Sequence, residues 1–68
     1  MSPTEIKKDL VDKSGPFILT LSDGRTLKVQ HTDYILLSPS GEQAAFYPEG
    51  KGLTLIDTRQ ITSIEFPE

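Results

Sequence analysis

The stretch Phe17-Ile-Leu-Thr-Leu-Ser-Asp-Gly-Arg-Thr-Leu-Lys-Val-Gln-His31 decides the fold. Phe17, Leu19 and Leu21 alternate with Ile18, Thr20 and Ser22, the period of two expected of a strand. Leu27, Val29 and His31 alternate with Thr26, Lys28 and Gln30 in the same way. Between the two runs stands Asp23-Gly24, a pair suited to the positive φ angles of a two-residue type I′ turn. The reading is a β-hairpin with one face toward a core.

Working outward, Ser2-Pro3-Thr4-Glu5 reads as a helix start. Ser2 and Glu5 can form a reciprocal capping box, and proline suits the first helical position because its missing N–H costs nothing there. A helix over about residues 3–13 places Ile6, Leu10 and Val11 on one face. Asp9 and Lys13 have the i,i+4 spacing of a weak ion pair. Gly15 and Pro16 end the helix. So short a helix is not stable alone in water, so it is expected to lie as a lid across the sheet.

After the hairpin, Thr32-Asp33 breaks the return strand. A third strand, Tyr34 to Ser38, is apolar on both faces, with Tyr34 and Leu36 on one and Ile35 and Leu37 on the other. A strand exposed on one side should alternate instead, so the outer face here is expected to be covered, by this chain or by another subunit. Ser38-Pro39-Ser40-Gly41 suits a type I turn. A fourth strand runs over Glu42 to Tyr47, with Ala44 and Phe46 on one face and Ala45 and Tyr47 on the other. Pro48 to Gly52 is expected to be a mobile loop. A fifth strand covers Leu53 to Asp57. Thr58-Arg59-Gln60 reads as a tight 3₁₀ connection. A last strand, Ile61 to Phe66, stops at Pro67. One helix and five or six short antiparallel strands point to a single mainly β domain over 1–68, a small, highly bent barrel over about 16–66. Strands this short are not expected to make a two-layer sandwich.

The bulk numbers agree with a small domain. A chain of 68 residues buries only about 60% of the surface its unfolded form exposes, so its core is thin. There is no cysteine, hence no disulfide or thiolate–metal cluster to reinforce it. The formal net charge is −3, and residues 35–68 carry five acids against Lys51 and Arg59. That balance argues against a general grip on phosphates. Met-Ser-Pro-Thr-Glu has neither a basic nor an apolar leader region, and the longest apolar run is the four residues Tyr34 to Leu37. A cytoplasmic protein with no membrane contact is expected.

The order helix, Asp-Gly hairpin, apolar third strand and final Ile-Thr-Ser-Ile strand resembles the Sm-like family, including bacterial Hfq. The matching residues are Leu19-Thr-Leu-Ser-Asp-Gly24, Tyr34-Ile-Leu-Leu37 and Gln60-Ile-Thr-Ser-Ile-Glu-Phe-Pro67. The hairpin also resembles that of a group of short bacterial proteins sharing Leu-Ser-Asp-Gly-Arg. The Sm-like resemblance implies a small barrel that assembles into rings and binds RNA, with the SH3-like barrel as the nearest structural alternative. The chain departs from that pattern at the functional positions. The glycine that bends the family's second strand is missing from Leu27-Lys-Val-Gln-His31. Asp57-Thr58-Arg59 stands where Hfq-like chains carry Tyr-Lys-His, so an acid replaces the base-stacking aromatic.

Candidate site residues each carry a plainer structural reading. His31 and Asp33 can hydrogen-bond, but no nucleophile or third ligand stands beside them, and a polar pair tying the hairpin end suffices. Gly50-Lys51-Gly52 lacks the spacing of a phosphate loop. No serine lies in a nucleophile-elbow pattern. Arg25, Lys28 and Arg59 are the bases an RNA contact would use. Tyr34, Phe46 and Tyr47 could stack on bases. Ile35, Leu37, Phe46 and Tyr47 are the residues expected to carry self-association. No catalytic, metal or cofactor site is read from the sequence. The expectation is a non-enzymatic interaction or oligomerisation module, whose partner is a second copy or another protein, with an Sm-like RNA-binding ring as the alternative.

Overall fold

A computed structural model describes residues 1–67; Glu68, the last residue of the expected domain, lies outside the described residues. Helix α1 spans Pro3–Asp12 and carries the expected capping box between Ser2 and Glu5. Ile6 is fully buried and Leu10 packs against the core. Val11 does not join them and is 83% exposed. The reason is angular: at about 100° per residue, Val11 lies well off the line through Ile6 and Leu10. The expected Asp9–Lys13 pair is also replaced, because the Lys13 ammonium sits 5.3 Å from the centroid of the Phe66 ring. The helix ends at an extended Lys13, before Gly15.

The hairpin forms as read, from β1 (Phe17–Leu21) and β2 (Thr26–Val29), with Phe17 opposite Val29 and Leu19 opposite Leu27. Its turn differs from the expected type I′. The Gly24 N–H donates to the Leu21 carbonyl, and only Gly24, at φ +90°, adopts a positive angle. Ser22 and Asp23 therefore make an ordinary turn, and the glycine follows as a bulge residue. Asp-Gly serves both geometries, because in either one the glycine takes the left-handed position.

Four more strands follow. They are β3 (Ile35–Leu37), β4 (Gln43–Phe46), β5 (Thr54–Asp57) and β6 (Ile61–Glu65). All pairings are antiparallel. They form two three-stranded sheets, ordered β2-β1-β6 and β3-β4-β5, with no closed barrel among the described residues. The expectation that short strands exclude two layers is corrected here. The physical reason lies in two 3₁₀ turns, Thr32–Tyr34 and Thr58–Gln60. Each interrupts the ladder at the point where the chain crosses from one sheet to the other. Tyr34 consequently belongs to the first of these turns and not to the third strand. At one corner the sheets touch through a bridge between Val29 and Pro48, and the Glu49 N–H donates to the Lys28 carbonyl at 2.6 Å. The start of the expected mobile loop is thus pinned to β2.

One core lies between the layers. Phe17, Leu19, Leu21, Leu27, Val29 and Ile61 come from the first sheet, Ile35, Ala44 and Phe46 from the second, and Ile6 from the helix. Ile61 and Ile64 are three residues apart, out of step with a strand, yet both contribute to this packing. A register shift between Thr20 and Leu21 pairs Ser63 with Thr20 and Ile61 with Leu21, leaving Thr62 as the extra residue of a bulge.

Candidate interaction surface

The second sheet is covered on one side only. Alternation along β3 and β4 sends Ile35, Ala44 and Phe46 inward and Leu36 and Ala45 outward. The register places Leu36 opposite Ala45 and Ala45 opposite Leu55, so the three form a row straight across the outer face. Leu36 is 74% and Leu55 70% exposed. Tyr34, Tyr47 and Leu53 are half-exposed, and the Tyr47 N–H donates to the Tyr34 carbonyl at 3.1 Å, which holds the two tyrosine backbones together. Two hollows open on this face, both lined by Leu36 and Ala45. One, of about 170 Å³, is completed by Pro39, Gln43 and Leu55; the other, of about 250 Å³, by Tyr34, Tyr47 and Leu53. Asp33 and Gln43 stand at the rims.

Large side chains expose about 150–250 Å² each when fully free, so these five, half to three-quarters exposed, present roughly 600 Å². That matches the upper end, about 600 Å², of the largest apolar patch on a typical monomer, and such patches are often functional.

Of the residues expected to carry self-association, Ile35 and Phe46 are buried in the chain's own core and Leu37 packs against it. Only Tyr47 lies on the exposed face. Leu36, Leu53 and Leu55 complete that face; the two-sided apolar pattern of the third strand signals Leu36, and the alternation that puts Leu53, Leu55 and Asp57 on one face of the fifth strand signals the other two.

The three bases proposed for RNA each sit beside an acid. Arg25 Nε is 2.7 Å from Asp23 Oδ2 at the hairpin turn. Lys28 Nζ is 3.7 Å from Glu49 Oε2. The Arg59 guanidinium grips Asp57 with two nitrogens, Nε at 3.1 Å from Oδ1 and a terminal nitrogen at 2.7 Å from Oδ2. Asp57 Oδ1 also accepts the Arg59 N–H at 2.8 Å, capping the second 3₁₀ turn. The hydrogen bonds from the Arg59 side chain, then that backbone bond, hold the Asp57 carboxyl down to about 2. The Arg25 backbone N–H likewise lowers the Asp23 carboxyl. Arg59 is raised in return by the Asp57 hydrogen bond. These exposed pairs fix local turns, and each cancels much of the charge a phosphate would feel.

The other candidates have structural roles. His31 Nδ1 accepts the Asp33 N–H at 3.1 Å and caps the first 3₁₀ turn. Lys51 stands in the exposed β4–β5 loop, where its N–H donates to the Pro48 carbonyl. Phe46 is buried, so Tyr34 and Tyr47 are the remaining stacking candidates. Among the described residues, no three His, Asp or Glu side chains are grouped to hold a metal ion. No helix among them is long and apolar enough to cross a membrane.

Fold and surface together define a small mainly β domain with an unpartnered apolar sheet face. Compared with known proteins, the chain matches no family model, no curated protein and no solved structure.

Proposed function

We propose that the chain is a non-enzymatic interaction module of the cytoplasm, a small Sm-like or SH3-like β-domain whose outer β3–β4–β5 face docks onto a protein surface. The observation that carries this reading is the uncharged row Leu36–Ala45–Leu55, flanked by Tyr34, Tyr47 and Leu53 and left open to solvent. Hydrophobic side chains placed side by side on a regular sheet favour association because covering them removes apolar area from water. The test is size-exclusion chromatography of fluorescently labelled chain, in buffer and in an extract of its native host. Wild type is expected to run in a larger species in at least one of the two, and Tyr47→Asp to lose it. Elution at monomer size in both media would contradict the reading.

A second reading, an RNA-binding Sm-like ring, draws on the exposed rings of Tyr34 and Tyr47 as stacking platforms. The acid beside each of Arg25, Lys28 and Arg59 weighs against it. It requires salt-sensitive retardation of oligo-A or oligo-U that weakens in Arg59→Gln; no retardation at low salt would end it.

A further inference from the structure

We infer that the occupant of this face is a second copy of the same chain, packed face to face about a two-fold axis. The inference rests on the interaction reading above and specifies its partner. The shape is self-complementary. Leu36 and Leu55 stand as two ridges with the small side chain of Ala45 between them, and each of the two hollows borders Ala45. In an isologous contact, Leu36 of each copy enters a hollow beside Ala45 of the other, so the same patch supplies both knob and socket. Stacked sheets about 10 Å apart interdigitate side chains in this way.

The area fits as well. The roughly 600 Å² of large apolar side chain is about three-quarters of the 800 Å² that each partner contributes to a standard interface, and rim residues such as Asp33, Pro39 and Gln43 extend it. Charge does not oppose the contact at its centre. The chain carries a net −3, but the row and the flanking Tyr34, Tyr47 and Leu53 are uncharged; the nearest carboxylates, Asp33 and the Arg59-paired Asp57, lie at the edges of the patch, so like charges are kept to the periphery of the contact. Pairing also adds a second hydrophobic layer to a chain whose own core draws on only ten buried hydrophobic residues among the described residues.

Sedimentation equilibrium across micromolar to millimolar concentrations tests this on wild type, Leu36→Glu and Leu55→Glu. Wild type is expected to approach twice the 7.5 kDa of one chain. Both variants are expected to stay at 7.5 kDa at concentrations where wild type is dimeric, and, at dilutions where wild type is itself monomeric, to melt at the wild-type temperature because both positions are exposed. A wild type that remains monomeric throughout overturns the inference. The docking reading falls with it only if labelled chain in host extract is monomeric too. A dimer that persists in both variants also overturns it, because the contact then lies elsewhere on the chain. Should either variant melt early, methyl spectra of wild type over a dilution series decide instead. Shifts at Leu36 and Leu55 support the contact; shifts confined to Ile61 and Ile64 overturn it.

Discussion

The Thr58 hydroxyl donates a 2.8 Å hydrogen bond to the carbonyl of Gly41, and both residues are buried. The bond ties the second 3₁₀ turn to the β3–β4 turn, beside the bond from the Thr58 N–H to the Glu42 carbonyl. Replacing the hydroxyl with a methyl leaves a buried carbonyl unpaired. Thr58→Val is therefore expected to lose about 1–3 kcal/mol in urea denaturation, and Thr58→Ser less, because it keeps the donor. A Thr58→Val chain as stable as wild type would show that this bond contributes nothing.

Gly41 is constrained twice. Its φ is +79°, and a Cβ there would stand 2.7 Å from Pro3 Cβ on the helix. Gly24, at φ +90°, has open space around it. An alanine at either position meets the left-handed cost of about 1–2 kcal/mol. Gly41→Ala must also push the start of α1 off the sheet, so it is expected to be the more destabilising of the two. Its helix amides should exchange faster with solvent; equal urea midpoints for the two variants would contradict the close approach.

Val11 and Ile6 divide the helix into an idle and a working position. Ile6→Ala removes a fully buried side chain and is expected to cost about 2–5 kcal/mol. Val11→Asp alters an exposed site and is expected to stay within about 0.5 kcal/mol of wild type. Thermal unfolding of the two variants reads this directly.

Asp57 supplies a pH dependence with a definite sign. Its carboxyl is held at about 2 in the folded chain, below the ordinary value of 3.8. A group with a lowered folded value contributes its stability above the unfolded value and loses it as pH falls toward the folded one. The Arg59 pair should therefore help at pH 5 and fade between about pH 4 and pH 2. A carboxyl chemical-shift titration is expected to place the Asp57 midpoint near 2, with Arg59→Gln returning it toward 3.8. A midpoint near 3.8 in wild type would remove the pairing.

Much of this fold was legible because local chemistry and long-range packing agree along most of the chain. The capping box, the alternation in Phe17–Leu21 and the 3₁₀ connection at Thr58–Gln60 all form where the residue types place them. The departures occur where a pattern admits two geometries. Asp23-Gly24 fits both a type I′ turn and a turn with a glycine bulge. Ile61 and Ile64 look out of phase until Thr62 bulges. Ile35-Leu36-Leu37 shows that both faces are apolar, but not which one meets Phe17 and Phe46; only the packing of the two sheets selects Ile35 for the core. The charges at Asp57 and Arg59, read as separate residues, become a pair only through the turn that brings them together.

The neighbours Ile35 and Leu36 separate folding from docking. Ile35→Asp places a charge in the core and is expected to unfold the chain, whereas Leu36→Asp leaves it folded. The most direct measurement of the central claim compares methyl spectra of folded wild type free and in its associated state. Leu36, Ala45 and Leu55 are expected to shift and broaden, with Ile6, Val29 and Ile61 unmoved. Association that leaves Leu36, Ala45 and Leu55 unchanged would contradict the account.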